Sequence, residues 1–218
     1  MPNKAFLNFI RQNRYLLFPY LAFLTIGALV LLSYNKATIH LFLNQFYSGP
    51  TDFFFTYLTL LGDGWSSILI VLVLLWFSYR KAIILGLSYA LSAITTQLLK
   101  NFVFPTHSRP IGIFNAAQQL HLVKGVTMYS SFSFPSGHST SAMALFLCLG
   151  LFTPKNWLKT ILCLSGLLVC YSRVYLSEHF FEDIYAGSII GTIWALLIYY
   201  QLQNGKDSNL RQSLSQKV

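Results

Sequence analysis

Long uncharged apolar runs alternate with short polar, basic segments along this chain. Tyr15–Ser33 holds no charged residue and is long enough for one membrane crossing at about 20 residues per helix. Asn35–Gly64 is mixed. Ile39, Leu41, Leu43 and Phe46 lie among polar residues, and a Gly49–Pro50 break precedes Phe53, Phe54 and Phe55. That pattern predicts amphipathic helix at the membrane interface, in short pieces. Trp65–Tyr79 reads as a second crossing stopped by Arg80 and Lys81, and Ala82–Leu99 as a third ending at Lys100. The stretch Asn101–Ser136 is polar. Ser139–Phe152, Thr160–Tyr175 and Ile184–Tyr200 complete the set, and the chain is polar from Gln201 onward. The expectation is an all-α, six-transmembrane helix bundle with short interfacial helices. It forms one domain over residues 1–200, with a motif core at 82–200 and a polar cytoplasmic tail at 201–218.

Composition agrees. Of 218 residues, 55% are hydrophobic and 10% charged, against about 25% charged in ordinary soluble domains. This excludes a disordered chain, an ordinary nucleic-acid-binding domain and a polar secreted module. The net charge of +9 comes from short basic clusters between apolar runs, which suits topogenic charge and an anionic substrate better than nucleic acid. Cys148, Cys163 and Cys170 sit inside apolar runs and read as small buried hydrophobes. The N-terminal run has no small-residue cleavage site after it and reads as a retained first helix.

With six crossings, ten Lys and Arg residues fall on the side of both termini and five on the other. The termini are therefore expected in the cytoplasm, with the long polar loop outside. The five outward cations run against that bias and need another reason.

Three segments at outward helix ends supply one. The first carries Lys100 and Arg109-Pro110; the second is Pro135-Ser136-Gly137-His138; the third is Ser172-Arg173, then His179 and Asp183. His179 and Asp183 are four apart and share one face if helical. A carboxylate beside an imidazole fixes its tautomer and leaves the other nitrogen as nucleophile or base. Taken alone, the pair also fits a structural contact at a helix start. Ser177 is placed to cap the last helix. Pro-Ser-Gly entering a helix offers free amides and a hydroxyl to an anion, though it equally makes a plain N-cap. His138, in the first turn, is placed to give a proton to a leaving oxygen. Lys100 offers a point charge or simply snorkels at a helix end, and Arg109 offers a fork to phosphate oxygens. Together these residues suit phosphoryl transfer by arginine, lysine and histidine. No HExxH or CxxC spacing points to a metal, and no cofactor is implied. His40 and His121 read as interfacial polar residues, His107 as a loop residue near the site, Asp63-Gly64 as a turn, and Trp65, Trp76, Trp157 and Trp194 as interface belts.

These motifs resemble the type-2 phosphatidic acid phosphatase superfamily of membrane lipid phosphatases, related to vanadium haloperoxidases. Pro135-Ser136-Gly137-His138 matches that family's second motif in full, and Ser172-Arg173, His179 and Asp183 match its third with the right spacing. The first motif departs, because eight residues rather than six separate Lys100 from Arg109. Counted back from the arginine, the expected lysine position holds Phe102. Two extra residues turn a helix by about 200°, so Lys100 reaches a phosphate only if the insertion loops out.

The resemblance implies a lipid phosphatase working through a phosphohistidine on His179. Asp183 orients His179, and His138 is the general acid and then the base. Arg109, Arg173, Lys100, Ser136 and the Gly137 amide hold the phosphate, with Ser172 in support. It implies a phosphorylated lipid as substrate and the bilayer as surroundings, with no nucleic acid and no obligate protein partner. The expected place is a bacterial inner membrane with the active site outside. A phosphotransferase using the same intermediate and a non-catalytic lipid-binding carrier are the competing readings.

Overall fold

The computed structural model describes residues 4–114 and 120–204, so the stretch 115–119 of the expected loop and the tail from residue 205 lie outside the described residues. Every regular element among the described residues is helical: α1 (Lys4–Gln12), α2 (Arg14–Ser33), α3 (Lys36–Asn44), α4 (Gly49–Leu58), a 3-10 turn (Thr59–Gly62), α5 (Gly64–Phe77), α6 (Tyr79–Leu98), a π turn (Leu99–Val103), α7 (Pro110–Ile113), α8 (Gly137–Phe152), α9 (Asn156–Tyr175) and α10 (Phe181–Asn204). Polar residues at the apolar-run boundaries set several starts. The Asn35 side chain accepts from the Thr38 amide at 2.9 Å, Ser48 and Thr51 form a capping box, and Ser136 caps α8.

Among the described residues, four helices are long and apolar enough to cross a membrane: α2, α6 with its π turn, α9 and α10. A fifth span exists only if α4 with its 3-10 turn and α5, bent by 57° at Asp63, are taken as one broken crossing. Length and apolarity among the described residues thus account for four or five of the six expected crossings and do not confirm the sixth. The expected second crossing is the 14-residue α5, and the expected fourth is the 16-residue α8, about 24 Å long against about 30 Å of hydrocarbon. The physical reason is visible for α8. It packs against α6, α9 and α10 and buries nearly its whole circumference, so protein rather than lipid surrounds it.

The site depends on how closely α10 approaches α8. A Cβ at Gly187 would lie 2.5 Å from the Ser136 carbonyl oxygen, and one at Gly191 would lie 2.2 Å from that of Thr140. Only glycine admits such backbone contact, the small-residue device of membrane helix packing. It brings the start of α10, with Asp183, against the start of α8, with His138.

The cysteines are free and buried within this core. Trp65, Trp76 and Trp157 lie exposed near helix ends. Trp194 departs from the expected belt, because it turns inward and donates to Thr95 Oγ1 at 2.9 Å, tying α10 to α6.

Candidate active site

The third motif straddles two helices. Arg173 sits in the last turn of α9, His179 in the connecting turn and Asp183 in the first turn of α10. His179 is thus not helical as expected, yet the pair still meets, with Nδ1 3.2 Å from Asp183 Oδ2. The Arg173 carbonyl accepts the amides of Glu178 (2.9 Å) and His179 (3.1 Å), which folds the turn back onto α9. Asp183 Oδ2 also accepts from the Phe180 amide at 2.9 Å and from Ser133 Oγ at 2.5 Å. A carboxylate so engaged makes Nδ1 the protonated ring nitrogen and leaves Nε2 with no partner among the described residues. Burial, reinforced by the positive charges of Arg109, Arg173 and Lys100, holds the His179 imidazole well below its ordinary pKa. The neutral imidazole is thereby favoured at physiological pH, with the lone pair of Nε2 unprotonated.

Ser177 departs from its expected capping role. It adopts a left-handed φ of 54° and bonds to Asn44 Nδ2 (3.0 Å) and His40 Nε2 (3.2 Å). His40 is accordingly fully buried rather than interfacial, and His121 is clasped by Asp52 at 2.7 Å and stacked on Tyr47. Both rings are held by side chains far along the chain, Ser177 for His40 and Asp52 for His121. His107 lies beside the site: its ring packs on Phe104 and Phe134, and its carbonyl accepts the Ser133 amide at 2.9 Å.

The second motif enters α8 as expected. Ser136 is buried, its hydroxyl accepting from Ser139 N (3.4 Å) and Oγ (3.0 Å), while its amide donates to the Asp183 carbonyl at 3.0 Å. That last bond ties the second and third motifs together through backbone. Ser136 is therefore an N-cap whose own hydroxyl proton stays available. His138, with Gly137, lines a cavity of about 170 Å³ shared with Asp63, Thr96 and Gln97. Ser172 bonds back to the Val169 carbonyl at 2.6 Å, so its hydroxyl is spent on its own helix.

The cations come from two directions. Arg173 is buried and donates through Nη1 to Thr59 Oγ1 at 2.8 Å, while Nη2 lies 3.2 Å from Glu178 Oε2. Its Nε is buried with no partner among the described residues. Arg109 donates through Nε to the Ser131 carbonyl at 3.1 Å and through Nη1 to the same Glu178 Oε2. Lys100 lies half-buried in the π turn, whereas Phe102 points outward and is 79% exposed. A π turn takes about one residue more per revolution than an α-helix, so the winding differs here from a continued α-helix, and Lys100 is the less exposed of the two. Its charge is felt at His179 and Asp183.

Two site residues carried no sequence signal for their roles. Ser133 meets Asp183 across 50 positions of chain, and Glu178, which occupies no fixed position of the third motif, stands between the two arginines. Among the described residues no group of three His, Cys, Asp or Glu is arranged to hold a metal ion.

An all-helical membrane bundle that sets a carboxylate-bonded histidine near paired guanidiniums and a helix N-terminus is suited to phosphoryl transfer at a membrane. The chain belongs to the PAP2 superfamily, whose description matches residues 81–207. It is similar to the lipid A 4'-phosphatase of Bacteroides thetaiotaomicron, with 29% identity over 166 residues and 73% of each chain covered. Among solved structures it is similar to Aquifex aeolicus LpxE, with 25% identity and a TM-score of 0.68, over 77% of this chain and 97% of that one. The fold also follows a PAP2 type phosphatidylglycerolphosphate phosphatase from Bacillus subtilis, at 23% identity and a TM-score of 0.63, over 87% of this chain and 96% of that one.

Proposed function

We propose that this PAP2-family membrane lipid phosphatase cleaves a lipid phosphomonoester or diphosphate through a phosphohistidine on His179. Nε2 attacks phosphorus in line as the bond to the leaving oxygen breaks. His138, which burial and the cations keep neutral before substrate binds, takes up a proton as the phosphate dianion enters and gives that proton to the leaving oxygen. His138, now a base, takes a proton from water, whose oxygen attacks phosphorus and releases phosphate from Nε2. Arg109, Arg173 and Lys100 neutralise the equatorial oxygens, with the Ser136 hydroxyl and Gly137 amide at the start of α8. Ser172 supports the Arg173 turn from within α9. The observation that carries this reading is the 3.2 Å contact of buried His179 with Asp183 beside two guanidiniums.

The substrate candidates are lipid A phosphate, undecaprenyl diphosphate, phosphatidylglycerol phosphate and phosphatidic acid. The relative named as a lipid A 4'-phosphatase puts the first of these at the head of the panel. Phosphate release in detergent from these four lipids tests the reading, with EDTA present throughout and vanadate in a parallel series. Release should survive EDTA, because the charge-neutralising groups are side-chain cations, and vanadate should inhibit as a bipyramidal mimic on Nε2. Loss of all activity on chelation, restored by Mg²⁺ or Zn²⁺, would overturn the mechanism.

The orientation proposed places both termini in the cytoplasm of a bacterial inner membrane, with the site on the outer face. The ten-to-five split of Lys and Arg supports it. Lys124→Cys in a background lacking native cysteines should react with an impermeant thiol reagent on intact cells. Reaction only after lysis would reverse the orientation.

A further inference from the structure

We infer that Glu178 is a built-in competitor for the phosphate cradle: it occupies the guanidiniums of Arg109 and Arg173 in the empty enzyme, yields them to substrate, and re-forms its ion pairs as product phosphate leaves. The inference rests on the proposed reading of these arginines as phosphate ligands and adds a residue that sets how tightly they hold any anion.

Four observations carry it. The Glu178 side chain is only 4% exposed, and its Oε2 meets both guanidiniums, so it stands where an anion bridging them would stand. Its carboxylate does not satisfy the cradle, because Arg173 Nε stays buried and without a partner among the described residues. A permanent structural counter-ion would be expected to leave no such donor, whereas a phosphoryl group brings three acceptor oxygens to a fork. Of the remaining described carboxylates at this end, Asp183 is engaged with His179 and Ser133, Glu182 with Lys36, and Asp52 with His121 and Tyr175, while Asp63, in the His138 cavity, is near enough for its charge to act on Arg173 but makes no ion pair with it. Finally, the amides of Glu178 and His179 are both held by the Arg173 carbonyl. The carboxylate can therefore be exchanged by side-chain rotation while the nucleophile next to it stays in place.

A phosphate and the Glu178 carboxylate on the same two cations repel each other, so binding of one weakens the other. The competition weakens substrate and product phosphate alike. Such uniform weakening raises KM and hastens product departure.

The test compares wild type with Glu178→Gln and Glu178→Asp in detergent, reading KM, kcat, competitive inhibition by inorganic phosphate, and the rise in Tm caused by vanadate. Glutamine keeps the shape and removes the charge. The inhibition constant for phosphate and the KM should fall about tenfold, the factor that 1.4 kcal/mol makes, with a larger vanadate-induced rise in Tm and a kcat that drops if phosphate release limits turnover. Should the glutamine variant not fold, Glu178→Asp remains decisive. One methylene shorter, it gives up part of the two-arginine contact and should lower both constants severalfold. Constants that rise or stay unchanged in the folded variants would overturn the inference and make Glu178 a post that positions the arginines. If wild type neither releases phosphate from any lipid nor gains Tm from vanadate, the phosphate-cradle reading itself falls. If wild type does both and neither variant tightens, only the role of Glu178 falls.

Discussion

Arg173 and Arg109 reach the same carboxylate oxygen from two different kinds of backbone. Arg173 leaves the last turn of α9, is 6% exposed, and is backed by Thr59 from the 3-10 turn. The turn that follows it is folded back by two amide bonds and docked to α8 through the Ser136–Asp183 backbone bond. Arg109 instead caps the four-residue α7, in a loop tied by single bonds from Arg109 N to the Ser130 carbonyl and from Ser133 N to the His107 carbonyl. Its Nε uses the Ser131 carbonyl of the same loop, and its guanidinium lies over the Tyr129 ring. The comparison teaches a division of labour. The α8–α10 wall holds His179, the proposed nucleophile, with Asp183 and one arginine on a packed scaffold, whereas the second arginine comes from the α6–α8 loop and Lys100 from the π turn that ends α6. Precision is needed at phosphorus, and charge alone suffices farther out.

The strongest way to break this comparison is to delete reacting atoms from the wall. His179→Ala removes the attacking nitrogen, so no covalent phosphoenzyme should form and turnover should fall to background. Acid-quenched labelling with a ³²P-lipid reads this directly. His138→Ala keeps the nucleophile but loses the proton donor, a contribution of about 10²–10⁴ in rate. Its damage should be largest for a lipid monophosphate and smaller for an aryl phosphate, whose leaving group needs less help. Equal losses on both substrates would move His138 from general acid to positioning.

Next comes the arginine pair itself. Arg173→Lys cannot hold Thr59 and a phosphate oxygen together in the geometry of the fork. On the wall, where relaxation is restricted, it should lower kcat/KM by about 10²–10³-fold, the range seen when one preorganised donor is removed. Arg109→Lys, on the looser loop, should cost about tenfold, nearer the value of one charged hydrogen bond. Parallel kinetics on one lipid decide it. Equal losses would show that the loop is as rigid as the wall and would remove the distinction.

The wall was also the more legible of the two regions. The spacing of Ser172-Arg173, His179 and Asp183, and the Pro-Ser-Gly-His run, are local patterns, and the structure gathers them around one point. What stayed hidden depended on distant packing. Ser133 reads as one serine among several until it is seen 2.5 Å from Asp183. Glu178 resembles an ordinary residue before a helix until two arginines converge on it. The number of crossings is harder to read for a related reason: a run of apolar residues records that a segment avoids water, but lipid and the interior of a helix bundle leave the same mark, as the short, buried α8 shows. The insertion between Lys100 and Arg109 was legible as a discrepancy, whereas the π turn that carries Lys100 was not.

The smallest expected effect concerns the support behind the wall. His40, on α3, is fully buried against Phe114 and Phe180, with Nε2 on Ser177 and Nδ1 without a partner among the described residues. Burial lowers its pKa to about 4, opposed in part by the negative charge of Asp183. The sign follows from linkage. Between its ordinary value of about 6.5 and the folded value, the unfolded chain takes up a proton that the folded protein refuses, so stability falls as pH drops through that window. The neutral side chain of His40→Gln keeps a polar contact for Ser177 and removes this one titration. Wild type should lose Tm steadily from pH 6.5 to pH 4 in detergent, and His40→Gln should lose less over the same interval while starting lower at pH 7.5. Part of the slope will remain in the variant, because His179 is also held neutral by burial and neighbouring cations. If the two slopes coincide, His40 is protonated as readily in the fold as outside it, and the Ser177 turn that carries the nucleophile is not anchored on a neutral imidazole.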